Sequence, residues 1–135
     1  MTMTKYDLAR YQDILREIRQ IKEEIERIES PVKSIQGKVI SDMPIGPKKT
    51  SDRIGDVVAS TEDLKKLLKR KVYELNAERI KIEKAIDCLQ PIERTICRYR
   101  YINGMKWEDI CVKIGYSWER THSYHRRALN KLKDK

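Results

Sequence analysis

Long apolar runs are missing from this chain. No stretch of its 135 residues approaches the roughly twenty consecutive apolar positions that a membrane-spanning helix needs. The opening Met1-Thr2-Met3-Thr4-Lys5-Tyr6-Asp7 has no apolar stretch either, so no secretory signal is read there. The expectation is a cytoplasmic protein without a membrane partner. Cysteine is scarce as well: Cys88, Cys97 and Cys111 are odd in number and form no CxxC pair, which argues against a disulfide framework and against paired zinc ligands. They are read as reduced, mostly buried thiols. Glycine-rich phosphate loops, acid pairs and nucleophile-base spacings do not occur, so neither an enzyme nor a bound cofactor is expected.

What the chain has is charge and period. Charged residues make up 38% of it, and 30 Lys/Arg against 21 Asp/Glu give a net charge of +9, a balance that favours a polyanionic partner. Residues 91–135 hold 11 of the basic and only 5 of the acidic side chains, so two-thirds of the excess lies in the last third of the chain.

Tyr11, Ile14, Ile18, Ile21, Ile25 and Ile28 alternate spacings of three and four, with charged residues between them. This predicts a helix over about 4–29, ended by Ser30-Pro31 because the residue before proline avoids the helical region. The turn formers Gly37, Pro44, Gly46, Pro47 and Gly55 predict a connection over 31–59, with at most a short helical turn near Asp52 to Ala59. Ser60 with Asp63 three residues later resembles a capping box and predicts a second helix over about 60–89, whose seam is Leu64, Leu68, Val72, Leu75, Ile82, Ile86 and Leu89 with Arg79 as its one polar place. The fold class is therefore all-α: a long helical hairpin or coiled-coil arm over 1–90, followed by a C-terminal domain over 91–135. A seam so narrow has to pack on another helix, of this chain or of a second copy, so a homodimer through the N-terminal helices is the alternative to an intrachain antiparallel pair.

The C-terminal domain carries the functional expectation. Pro91 suits a helix start, and Ile92, Thr95, Ile96, Tyr99 and Ile102 form an inward face that stops at Asn103-Gly104. Trp107, Ile110, Cys111 and Ile114 define a short helix closed by Gly115, and Ser117 caps a longer one with Thr121, His125, Ala128, Leu129 and Leu132 inward. A short helix, a turn containing glycine and a longer basic helix make a helix-turn-helix, whose second helix enters the major groove of double-stranded DNA. Its first turns face the bases, which singles out Trp118, Glu119, Arg120, His122, Ser123 and Arg126 for base edges. Lys106, Arg127 and Lys131 are expected on phosphates.

The runs Leu89-Gln90-Pro91-Ile92-Glu93-Arg94, Arg98-Tyr99-Arg100-Tyr101-Ile102-Asn103-Gly104-Met105-Lys106-Trp107-Glu108-Asp109-Ile110, Ile114-Gly115-Tyr116-Ser117 and Arg127-Ala128-Leu129-Asn130-Lys131-Leu132 resemble region four of bacterial sigma factors. With the helical arm and the Ser-Asp-Met-Pro linker, the whole chain resembles phage and prophage transcriptional regulators of the late-operon activator and autolysin-regulator type. That resemblance implies control of phage late genes, and the helical arm of such a regulator either sets the oligomeric state or touches RNA polymerase. It also implies that the recognition helix reads a promoter element through Trp118, Glu119, Arg120, His122, Ser123 and Arg126, although Trp118 and His125 stand where many sigma sequences have a small aliphatic residue and a leucine.

Plainer readings compete with several of these. His122, His125 and Cys111 are too few for a metal site, and His125 is better placed in the core. Trp107 is read as core, and Trp118 is balanced between the core edge and DNA. Lys65-Lys66 with Lys69-Arg70-Lys71 is a solvated helix face before it is a phosphate patch. The competing function is a DNA-recognition subunit for packaging, of the small-terminase kind, which a closed ring of many copies would favour over a monomer or dimer.

Overall fold

The computed structural model describes the backbone of residues 2–37 and 47–133, and the side chains of these residues outside 31–37, 47–54 and 57. The regular elements among the described residues are all helices, without strands: α1 Lys5–Gly37, α2 Pro47–Ile86, α3 Pro91–Cys97 continued by a wide π turn Arg98–Ile102, α4 Trp107–Ile114 and α5 Trp118–Lys133. The contacts divide the chain into two units, Met1–Leu15 with Glu74–Lys135, and Arg16–Tyr73. The expected boundary at residue 91 thus falls inside a unit.

Both long helices outrun their expected ends. Helix α1 continues through Pro31 to Gly37 where an end at 29 was expected. An internal proline removes one backbone hydrogen bond at a cost of about 3 kcal/mol, and the sequence repeat that favours helix carries on across it, from Ile28 to Val32 and Ile35. Helix α2 begins at Pro47, a residue suited to a first turn, so residues 47–59 of the expected connection are helix; residues 38–46 of it lie outside the described residues. Ser60 is internal to α2 and caps nothing.

In the unit Arg16–Tyr73, the inward positions are Ile18 and Ile25 of α1 and Thr61 of α2, all buried, with Ile21, Ile28, Leu64, Leu67 and Leu68 half-buried. Lys71 pairs with Glu17 at 2.9 Å and Lys65 with Glu29 at 3.0 Å, so numbers rise along one helix as they fall along the other: the two run antiparallel within one chain. Thr61 is tolerated inward because its hydroxyl donates to the Val58 carbonyl at 3.0 Å. Gly55 lies inside α2, and a Cβ added there meets nothing within 4 Å. Gly55→Ala is therefore expected to stabilise the protein by roughly 0.5–1 kcal/mol, because alanine loses less backbone freedom in a helix. Urea denaturation checks this, and a loss of stability would contradict a helical Gly55.

The other unit is built around Leu8, Tyr11, Ile82, Ile86, Leu89, Cys97, Tyr101, Ala128 and Leu132. The start of α1 is thus part of the C-terminal domain's core. Leu8 is fully buried, the Met3 N–H donates to the Leu132 carbonyl at 3.1 Å, and the Gln12 amide donates to the carbonyls of Tyr101 and Ile102 at 3.2 and 2.8 Å. Gln12 thereby satisfies the exposed end of the α3 helix, just before Gly104 turns the chain with φ +67°. In this unit the polar place inward on α2 is Glu78, which is buried, and not Arg79, which is exposed.

The α3 face is also rotated from expectation. Glu93, Ile96, Cys97 and Tyr101 are buried, while Ile92, Thr95, Tyr99 and Ile102 are half-buried. The π turn, closed by Asn103 N–H to the Arg98 carbonyl at 2.9 Å, widens the last turn and shifts the buried line. Arg98, the first residue of that turn, grips Glu83 of α2 with two nitrogens, Nη2 at 2.8 Å and Nε at 3.1 and 3.2 Å, and this holds the Glu83 carboxyl below its usual range. Of the thiols, Cys97 is buried, Cys111 half-buried and Cys88 exposed, so the expectation of burial fails at Cys88.

Candidate nucleic-acid interface

Helices α4 and α5 are set by local chemistry. Gly115 ends α4 in the left-handed region at φ +74°, where its N–H reaches the Cys111 carbonyl at 2.9 Å. Ser117 then accepts the Arg120 N–H at 3.2 Å and caps α5. Inward, Ile110 of α4 is fully buried, and Thr121, His125, Ala128 and Leu132 make the buried line of α5. The Cys111 thiol donates to Thr121 at 3.4 Å, and the Thr121 hydroxyl donates to the Ser117 carbonyl at 2.8 Å.

Two histidines three positions apart have different surroundings. His125 is buried beside Trp107, at 4.6 Å between ring centroids, and its Nε2 shares a hydrogen bond with the Tyr101 hydroxyl. Burial, then the neighbouring His122, Lys5 and Arg100, push its pKa down to about 4, and burial raises that of Tyr101, so a neutral ring pairs with an intact phenol. His122 is half-buried between Trp107 at 4.4 Å and Trp118 at 4.3 Å. Burial lowers its pKa first, followed by Arg126 and Arg100. Arg100 itself lies 5.0 Å from the Trp107 ring and donates to the Met105 carbonyl at 2.9 Å. Trp107 is half-buried at the inner end of this column, and Trp118, 51% exposed, is its open end. Because His125 and Cys111 are engaged with Tyr101 and Thr121, they do not converge with His122 on a metal; among the described residues no group of three possible ligands does.

The expected base-reading residues divide between two sides of α5. Trp118, Glu119, His122 and Arg126 line one shallow depression. Arg120 lies on the other side, 4.1 Å over the Tyr116 ring, with Arg127 5.6 Å from Tyr124. Ser123 is half-buried between these groups, on the line opposite the core. Glu119, Arg120, Arg126 and Arg127 are exposed, as is Lys106 at the start of α4. Lys131 is engaged by the protein itself: its ammonium is 2.7 Å from Glu93 Oε1, so its charge is already matched inside the domain.

Asn130, Tyr116 and Tyr124 were not singled out from sequence. Asn130 is exposed and continues the outward spacing Glu119, Ser123, Arg126 by four, a signal present in the sequence once the inward line is known. The two tyrosines stack at 5.9 Å, which spacing alone does not announce.

The family description Sigma-70, region 4 matches residues 85–134. No curated protein and no solved structure is significantly similar to the chain. The matched segment contains α3, α4 and α5, so the C-terminal part of this chain is a region-four helix-turn-helix, a DNA-binding module. Among the described residues no helix is long and apolar enough to cross a membrane.

Proposed function

We propose that this protein is a sequence-specific regulator of transcription that binds double-stranded DNA through α5, acting in the cytoplasm as an activator of phage late genes. The observation that carries the DNA-binding part is the outward side of α5: Glu119, Arg120, Arg126, Arg127 and Asn130 are all exposed, opposite a line that is wholly buried. A helix so placed offers donors to guanine and adenine and an acceptor to cytosine, with arginines beside them for phosphates. Activation of phage genes rests on the resemblance of the whole chain to late-operon activators. The antiparallel helices of the N-terminal half are then the element offered to RNA polymerase.

The intrachain pairing of those helices bears on the competing packaging role. Ile18 and Ile25 are already buried within one chain, so the seam itself does not demand a ring or a dimer. Light scattering that finds a closed ring would move the function to packaging.

The direct test selects bound duplexes from a random pool and measures affinity against salt. Arg126→Ala is expected to cost roughly 1–3 kcal/mol on the selected duplex and much less on random DNA. Affinity should also fall steeply as salt rises, through release of counterions from phosphates. Absence of any enriched sequence would overturn the regulator reading.

A further inference from the structure

We propose that Tyr116 and Tyr124 clamp the Arg120 guanidinium and hold it ready to read a guanine, which makes them positioning residues for base discrimination. The proposal rests on the DNA-binding reading above and extends it to side chains that do not themselves read the sequence. Tyr124 follows Arg120 by four residues on the same flank of α5, and Tyr116 precedes it by four in the turn that leads into the helix. The guanidinium carbon is 4.1 Å from the Tyr116 ring centroid and 6.0 Å from that of Tyr124. The rings themselves are stacked at 5.9 Å with planes 25° apart, and both are half-buried. Arg127 reaches the same Tyr124 ring at 5.6 Å.

The chemistry of the contact matters. A carboxylate would hold an arginine by its in-plane N–H donors, the same donors that guanine O6 and N7 require. A ring face attracts the cation through its quadrupole and leaves that edge free. Among the described residues no carboxylate pairs with Arg120. An arginine otherwise loses much of its rotamer freedom on binding, and a stacked one has lost part of it beforehand, which favours the bound state.

The test uses the full chain, the duplex selected from a random pool, and the same duplex with each guanine replaced in turn by 7-deazaguanine. Arg120→Ala is expected to lower affinity for the selected duplex roughly tenfold to a hundredfold and to erase the penalty at one guanine. Tyr116→Leu and Tyr124→Leu should weaken discrimination at that same guanine several-fold, with a smaller loss of affinity for random duplex. Tyr116→Phe and Tyr124→Phe should preserve it, because the ring face is retained. Should a leucine variant fail to fold, as circular dichroism would reveal, the methionine variant replaces it. Leucine variants that discriminate as well as wild type, or bind more tightly, overturn the clamp and leave the regulator reading standing. Equal losses on selected and random duplex for Arg120→Ala also overturn it. A wild-type protein that selects no sequence at all is a failure of the functional reading instead.

Discussion

Lys131→Met is expected to destabilise the domain by roughly 2–4 kcal/mol while leaving DNA binding by the folded protein nearly intact. Its partner explains why. Glu93 is 0% exposed, its Oε1 accepts both the Gln90 N–H at 3.0 Å and the Lys131 ammonium at 2.7 Å, and its Oε2 has no partner within the protein. Deleting the lysine leaves a carboxylate inside the domain without its counter-charge, and the loss is trimmed only because the lysine side chain is itself 43% exposed. Glu93→Gln in the Lys131→Met background should recover part of the stability, since the amide needs no cation and can still accept the Gln90 N–H. A double-mutant cycle in urea measures this, and a coupling below about 0.5 kcal/mol would show that the pair contributes nothing beyond its separate members. Binding provides the second readout. Arg127→Ala should reduce the salt slope by about one phosphate contact, whereas Lys131→Met should not.

That pair marks the limit of what spacing conveys. Glu93 and Lys131 are 38 positions apart, and nothing in either neighbourhood announces the other. Local signals fared better: Pro91 starts α3, Gly104 and Gly115 take positive φ, Ser117 caps α5, and Thr121, His125, Ala128 and Leu132 face inward as their spacing predicts. Each depends on a few residues along one helix. Punctuation residues misled where the surrounding repeat outweighed them. Pro31 and Gly55 read as breakers, yet both lie inside helices, because one lost hydrogen bond or one flexible residue costs less than a long helix gains by packing its seam. Leu8 and Gln12 belong to the C-terminal domain for a reason no local pattern contains: the carbonyls at the end of α3 needed a donor, and one came from the opposite end of the chain. The interface was legible as a helix and a charge, and illegible as two separate sides, since the difference between Arg120 and Arg126 lies in which rings sit beside them.

His125 gives the largest expected dependence on pH. Its pKa is about 4 in the folded protein against an ordinary 6.5, because burial penalises the charged ring and His122, Lys5 and Arg100 add positive charge nearby. Between those values the unfolded chain binds a proton that the folded protein refuses, so stability is full above pH 6.5 and is lost as pH falls towards 4. The loss should approach about 3 kcal/mol, at 1.36 kcal/mol per unit of pKa. His122 acts in the same direction, since its pKa is also lowered, so part of the slope belongs to it. His125→Leu separates the two. It removes the buried titration and should flatten most of the fall between pH 6.5 and 4, leaving the share of His122 and the carboxylates. It also strips the Tyr101 hydroxyl of its partner, so Tyr101→Phe accompanies it in order that no buried phenol goes unpaired. Urea midpoints measured across this range decide the matter: an unchanged slope in the double variant would mean that His125 is protonated in the folded state, and is not the neutral ring that joins α5 to the end of α3 through Tyr101.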